Sequence, residues 1–215
     1  MTYLRSQAFC LVLAAFMIAA VSSAVPAADT DEMVTRIQKA YETLNDMQGT
    51  FVQKNIIKEL KKSDTYTGEF FIKRPLKMKW AYKGKAAQDL IINNQTVLIY
   101  KKGDPQAYRS PFNKDSHGQT PVALLTGMGS IRDEFIVAGK GNRLVLKPKK
   151  PMPGVASITL AIADTGFPIR GFTIEDGRSN VVEIELNNIV INPGLKDSVF
   201  DPHLPKGVQI YEQQP

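Results

Sequence analysis

From Thr50 onward, apolar residues recur at every second position in one short run after another, the period of a strand with one buried face. Ahead of that, between Asp29 and Leu44, they recur at three and four, the period of a helix. Met33, Ile37, Ala40, Tyr41 and Leu44 form one apolar stripe there, and Asp29 with Glu32 three residues on fits a capping box. The alternation predicts strands over 50–60, 66–74 and 76–83. A hairpin of 89–93 and 96–101 follows around Asn94-Gln95, then strands over 106–110, 135–137, 143–148, 158–163, 169–175, 181–188 and 208–211. About ten strands with two or three helices place the chain in the α+β, mainly β class. The expected architecture is a strongly curved antiparallel sheet, an incomplete barrel, with an N-terminal helix.

The stretch 68–82 is the most telling. Gly68, Phe70, Ile72 and Arg74 share one face, and Pro75 then ends the strand. Leu76, Met78 and Trp80 share a face of the next strand, with Lys77 and Lys79 on the other. A bulky apolar surface with a single arginine at its rim points to binding of something greasy. Phe51, Phe70, Ile72, Met78, Trp80, Leu90, Ile92, Val97 and Ile99 are the candidate lining. The hairpin members follow from a two-residue turn, which pairs Ile92 with Val97 and Leu90 with Ile99. Ile91 and Leu98 are apolar as well, so the opposite face stays open as a choice.

Between the strands over 106–110 and 135–137 the alternation breaks. Thr120-Pro121 is a helix start, a capping hydroxyl followed by proline at the first helical position. Val122, Leu124, Leu125 and Met128 follow, and Gly127 or Gly129 can stop the helix. So apolar a segment between two loops is either a core helix or a lid over a cavity.

The N-terminus changes the compartment. Arg5 precedes an apolar run over 8–21 and then small residues, the layout of a signal peptide over 1–27 with cleavage after Ala24 or Ala27. The run is too short for a stable membrane span. The sole cysteine, Cys10, lies inside it, without the upstream residues that lipid attachment needs. An exported chain over 28–215, one domain without disulfides, is expected. The net charge is +6, with 27 Lys and Arg against 21 Asp and Glu. The excess lies between Lys54 and Lys114, where many lysines alternate with apolar residues as on a solvated outer sheet face. Steering toward an anionic membrane or an acidic partner is the functional alternative. No aromatic-basic platform for nucleic acid stands out.

Catalytic patterns are scarce. The two histidines, His117 and His203, stand in loops without a second ligand at useful spacing, so no metal is expected. Gly139-Lys-Gly141 reads as a turn between strands, not a phosphate loop, and no G-x-S-x-G elbow occurs. Glu183 and Glu185 share one strand face, whereas a glycosidase pair draws its carboxylates from different elements. Neither a catalytic residue nor a cofactor is assigned.

With those residues in view, the chain resembles the periplasmic outer-membrane lipoprotein carrier (LolA) family over nearly all of its mature length. Gly49-Thr-Phe51-Val-Gln53 is similar to the family's F-x-Q strand. Gly68, Lys73-Arg74-Pro75 and Trp80 follow at the family's spacing. The hairpin, the Thr120-Pro121-Val-Ala-Leu124-Leu125 helix, Leu144-Val-Leu146-Lys-Pro148 and Phe200…Pro205-Lys-Gly207-Val208 come in the family's order. The resemblance implies an unclosed half-barrel whose helices form a lid over a hydrophobic cavity. It implies a monomeric periplasmic carrier that takes acylated lipoproteins from an inner-membrane ABC exporter to an outer-membrane receptor. That receptor is itself a lipoprotein of similar fold, so the missing attachment cysteine favours the carrier. By position the family's lid-holding arginine is Arg74, expected to bond backbone carbonyls of the 111–128 region. The chain departs at Asn93-Asn94-Gln95, where the family often has an Asp-Gly turn, and at Leu98, where an aromatic is common. A carrier or sensor of another lipid, such as a glycolipid or isoprenoid, and an exported lipid-modifying enzyme are the alternatives.

Overall fold

The structure, a computed structural model, describes residues 27–112 and 130–213. The signal segment up to residue 26 and the lid-helix residues Val122, Leu124, Leu125 and Met128 lie outside them. Helix α1 spans Ala27–Glu42. It begins two residues before the expected Asp29 cap, because Ala27 and Ala28 are strong helix formers and extend it. Its stripe is buried as expected at Met33 and Ile37, and Val34 joins them at 0 % exposure.

Among the described residues, twelve strands form one sheet. They are β1 (Asp46–Ile57), β2 (Lys62–Lys73), β3 (Lys77–Tyr82), β4 (Gln88–Asn93), β5 (Thr96–Lys101) and β6 (Gln106–Pro111). A short helix α2 (Ile131–Glu134) precedes β7 (Phe135–Lys140), β8 (Arg143–Pro148), β9 (Ser157–Ile162), β10 (Ile169–Glu175), β11 (Val181–Ile191) and β12 (Gln209–Glu212). The spatial order is β12-β6-β5-β4-β3-β2-β1-β11-β10-β9-β8-β7. Neighbours are antiparallel except β12, which runs parallel to β6. The sheet does not close on itself: β12 and β7 are its two ends. Its inner faces from β1–β5 and from β7–β11 nevertheless enter one core cluster with α1, so the sheet wraps around the helix as a half-barrel.

Several boundaries differ from the sequence expectation. The first strand starts at Asp46 instead of Thr50, because Asp46 and Met47 are both buried and pair with β2 and β11. It stops at Ile57, and residues 58–61 make the turn. β11 runs on to Ile191, alongside the early part of β1. Gly139 belongs to β7 instead of the turn. A Cβ there would stand 2.2 Å from Thr30 Oγ1, so the bare glycine lets α1 lie close on β7.

A polar clasp ties the α1–β1 junction to the segment that follows β11, in the middle of the sheet. Asp46 is 5 % exposed, and its carboxylate accepts the N–H groups of Gly194 (3.1 Å) and Leu195 (2.9 Å). Asn192 accepts from the Asn45 N–H through Oδ1 at 2.8 Å and donates Nδ2 to the Thr43 carbonyl at 3.1 Å. These bonds satisfy backbone groups at the α1–β1 junction and fix where the chain leaves β11. From there the segment after β11 crosses the outer face of β3 and β4, burying Phe200 completely.

Candidate functional site

The inner face of β1–β5 is built in rows set by strand register. Met47, Ile72, Met78, Ile92 and Val97 are successive partners across β1 to β5 and form an entirely apolar row. The next row is Gly49, Phe70, Trp80, Leu90 and Ile99. The third contains Phe51, Gly68 and Tyr82, and the fourth pairs Gln53 with Tyr66. Polarity therefore rises along the strands, from Met78 toward Tyr82 and Gln53.

All nine candidate lining residues lie on this surface. Phe51, Phe70, Ile72, Met78, Trp80, Ile92 and Val97 are buried in the main cluster, and Leu90 and Ile99 are half-buried against it. Ile92 pairs with Val97 and Leu90 with Ile99, as a two-residue turn requires. Ile91 and Leu98 point the other way, and line a hollow with Phe200 and Pro202 on the outside of the hairpin. Both hairpin faces are covered, which is why both are apolar.

Three rings make the floor. Phe51 stacks on Trp80 with centroids 4.2 Å apart and planes at 22°, and Phe70 lies against the same indole at 5.5 Å and 26°. Two glycines make room for them. A Cβ on Gly68 would stand 2.5 Å from the Phe51 ring and 2.2 Å from the Ala81 carbonyl oxygen. One on Gly49 would stand 2.7 Å from the Phe70 ring. Contacts that short demand displacement, so the rings lie directly on backbone. Tyr82 meets Phe51 edge-on at 5.2 Å. Its hydroxyl donates to Gln53 Oε1 at 2.9 Å, and Gln53 Nε2 donates to Asn55 Oδ1 at 2.9 Å. Burial pushes the Tyr82 phenol up. The buried indole N–H of Trp80 stands on the side of the Tyr82 hydroxyl and, after Gln53, counters part of that rise.

Helix α1 enters the same core cluster as this surface and is tied at several points. Arg74, exposed in the β2–β3 turn, donates from Nη1 to the Tyr41 carbonyl near the end of α1. Tyr41 meets Phe167 edge-on at 5.6 Å in the β9–β10 turn, and burial pushes its phenol up. From α1 itself, Arg36 Nη2 donates to the carbonyls of Ala163 (2.7 Å) and Asp164 (3.2 Å). Asp31 pairs with Arg132 of α2. The helix thus spans the mouth between both halves of the sheet. The 113–129 segment, which the expected Arg74 contact would meet, lies outside the described residues. Arg36, Asp46 and Gln53 complete the arrangement; only Gln53 stood in a recognised pattern, the F-x-Q strand.

The remaining polar candidates stay apart from this surface. Lys73 and Lys77 reach Asp197 at 2.6 and 2.9 Å on the outer face, and Lys83 pairs with Glu69 at 2.8 Å. Glu183 and Glu185 lie on β11, where Glu185 is exposed opposite Val52. His203 Nδ1 is 2.9 Å from the Asp201 carbonyl, and His117 lies outside the described residues. Among the described residues, no three His, Cys, Asp or Glu side chains converge as metal ligands.

Comparison with known proteins agrees with this geometry. Residues 42–203 match the sequence model of the family described as outer membrane lipoprotein carrier protein LolA. An outer-membrane lipoprotein carrier protein of Glaesserella parasuis is 30% identical over 188 residues, covering 85% of each chain. One of Histophilus somni is 26% identical over 208 residues, 95% of this chain and 97% of the relative. In fold, the chain is similar to an uncharacterised conserved protein of Thermus thermophilus, with TM-score 0.55 and 14% identity over 86% of this chain and 99% of that one. It is similar too to a LolA superfamily protein of Nitrosomonas europaea, with TM-score 0.50 and 8% identity over 80% and 97%.

Proposed function

We propose a function that proceeds from one finding: the chain belongs to the outer-membrane lipoprotein carrier (LolA) family. On that reading it is a periplasmic lipoprotein carrier and not an enzyme. It accepts acylated lipoproteins from an inner-membrane ABC exporter, shields their acyl chains against the inner face of the half-barrel, and delivers them to an outer-membrane receptor. The observation that carries the reading is the continuous apolar inner face, floored by Phe51, Phe70 and Trp80 and roofed by a helix held through a few hydrogen bonds.

The physics of the task fits that architecture. Exposing acyl chains to water costs about 0.8 kcal/mol per CH₂, so three chains of about fifteen carbons cost on the order of 35 kcal/mol. A carrier must offer apolar surface in exchange and still let go. Here the empty protein buries that face in one core cluster with its own helix, so closure competes with cargo. Release then needs no nucleotide on the carrier. Arg74 holds the closed state through α1.

The test is loading. The purified mature protein is mixed with a fluorescent triacylated lipoprotein and with its unacylated form, and soluble complexes are separated by gel filtration. Retention of the acylated form alone is expected, and weaker retention by Met78→Glu, because a desolvated carboxylate opposes the chains. Equal handling of both forms overturns the carrier reading. Glycolipid or isoprenoid co-purifying in place of lipoprotein establishes the other-lipid alternative, and turnover of labelled lipid establishes the enzyme.

A further inference from the structure

The second row of the inner face does not stop at β5. Ile99 faces Tyr108 of β6, and Tyr108 faces Tyr211 of β12. From Trp80 to Tyr211 the row crosses four strand spacings, roughly 19 Å. Cover thins along it: Trp80 is 2 % exposed, Tyr108 40 % and Tyr211 44 %. The two tyrosine rings stand 6.2 Å apart with planes at 36°. Glutamines hold their hydroxyls. Tyr108 donates to Gln106 Oε1 at 3.2 Å, Tyr211 donates to Gln209 Oε1 at 3.1 Å, and Gln106 Nε2 donates to the Tyr211 hydroxyl at 3.4 Å. The apolar face thus ends on a shelf that is apolar in its rings and polar at its tips.

Beside the shelf lies an unpaired backbone edge. β12 has β6 on one side and, among the described residues, no strand on the other. The Gln209 N–H donates to the Pro105 carbonyl at 2.9 Å and the Gln213 N–H to the Arg109 carbonyl at 2.7 Å. In a parallel ladder every second residue bonds to the same neighbour, so 209, 211 and 213 face β6. The N–H and C=O groups of Ile210 and Glu212 therefore point away from it, along a strand whose four residues are all exposed. Lysine, proline or a bulge ordinarily blunts such an edge. β12 has none of these, and its one charge, Glu212, is paired with Arg109 at 3.0 Å.

We propose that the edge of β12, with the Tyr108–Tyr211 shelf, receives the cargo polypeptide just beyond its acylated end, as an added strand bonded to the Ile210 and Glu212 backbone. The inference rests on the carrier reading above and extends it from the acyl chains to the protein that bears them. Two features favour this occupant. Acyl chains lying on the inner face bring the attached polypeptide to an end of that face, and the row that leads out of the core ends here. Bonds to the backbone do not read side chains, so the edge accepts cargo whatever its sequence. A second copy of this chain fits less well. Four strand residues bury far less than the about 1,200 Å² that a stable pairing needs. A peptide tethered by its bound lipid needs no such area, because it meets the edge at high effective concentration.

The test compares three ligands on the full mature protein. One is a triacylated lipopeptide carrying about ten further residues, the length of a strand and its approach. The second is the same lipid on its modified residue alone, and the third is the long form N-methylated along its backbone. Amide exchange at Ile210 and Glu212 is followed by nitrogen–proton correlation spectra. The long form should slow both amides and bind about tenfold tighter than the other two, the worth of two net backbone hydrogen bonds. The other two should leave both amides exchanging as in the empty protein. Ile210→Pro removes one outward donor and leaves the ladder to β6 intact, so it should bring the long form within about threefold of the lipid alone. The methylated peptide makes the same test without altering the protein. Equal affinity for all three ligands, with both amides unmoved, overturns the added strand and leaves the carrier reading standing. Amides already slow in the empty protein overturn it too. So does protection that grows with protein concentration in the absence of ligand, which would assign the edge to a second copy. Failure of wild type to bind any of the three counts against the carrier reading itself and removes this inference with it.

Discussion

The two halves of the half-barrel are built from different materials. β1–β3 present rings, Phe51, Phe70 and Trp80, lying on the bare backbone of Gly49 and Gly68. β8 and β9 present branched aliphatics, Leu144, Leu146, Ile158 and Leu160, each no more than 2 % exposed. This mainly aliphatic half, whose rings Phe135, Phe167 and Phe172 lie on β7, β10 and the turn before it, shares its core with Met33, Val34 and Ile37 of α1, and Gly139 lets the helix lie close on β7. The aromatic half carries a polar row at Gln53 and Tyr66 and the Tyr82–Gln53 bond, while arginines tie α1 to both halves, Arg74 to this one and Arg36 to the other. Interlocked branched side chains hold one geometry, whereas flat rings on glycine offer a surface on which a flexible chain can slide in. On the proposed function the difference teaches a division of labour: one half anchors the helix, and the other is the part offered to cargo.

The sharpest break of that division is in the anchor. Leu160→Ala leaves a cavity in the aliphatic half, and a loss of about 2–5 kcal/mol of stability is expected. Urea denaturation measures it. Folded Leu160→Ala should still take up acylated lipoprotein at wild-type affinity. A variant that stays stable yet loses cargo would reverse the roles of the two halves.

Arg74 tests the other side at lower cost to the fold. Its guanidinium is exposed and bonds one described carbonyl, that of Tyr41. Arg74→Leu should change stability by about 1 kcal/mol or less. It should nevertheless shift the balance between closed and open carrier about fivefold toward open, because that same bond favours only the closed state. Cargo is then accepted but handed on slowly, and loaded complex accumulates. Transfer of a labelled lipoprotein to receptor-bearing membranes is the measurement, and equal rates for the two proteins would remove Arg74 from the mechanism. Lysine at this position should rescue only in part, since it keeps the charge without the planar fork.

What the sequence discloses and what it hides divide along physical lines. Alternation locates the strands because burial on one face is a local property, and Lys77, Lys79 and Trp80 fall on their faces with no knowledge of the rest of the chain. The hairpin face was ambiguous for a reason the fold supplies. Ile91 and Leu98 are apolar because a segment about a hundred residues later, with Phe200 and Pro202, comes to lie over them. Asp46 gave no local signal, since its partners Gly194 and Leu195 are 148 and 149 residues away. The Tyr82–Gln53 bond is likewise invisible in sequence, because its partners stand 29 residues apart on different strands. The glycines fall between these cases. Gly68 stands out in the pattern, but only the rings packed on it say why it is bare.

The smallest expected effect concerns what supports the aromatic half from outside. The segment after β11 is pinned behind β2 and β3 by Asp197, which Lys73 and Lys77 bracket, and Lys73 also donates to the Leu195 carbonyl at 2.7 Å. Hydrogen bonds from Lys73 and then Lys77 hold the Asp197 carboxyl down at about 2, against an ordinary 3.8. A carboxylate whose folded pKa lies below its unfolded one contributes stability that is complete above the unfolded value. That contribution disappears as the pH falls from about 4 through about 2, where the folded form also takes up its proton. The group is exposed and salt screens it, so the effect should be small and should shrink further at high ionic strength. Thermal midpoints of wild type and Asp197→Asn, followed from pH 6 down to pH 2, should differ most at the upper end and converge at the lower. A gap that does not change with pH would mean that the two lysines hold the segment without help from the charge on Asp197. Convergence would show that the aromatic floor is braced electrostatically from behind, while the aliphatic half, packed on α1, holds its shape at any pH that leaves its leucines buried.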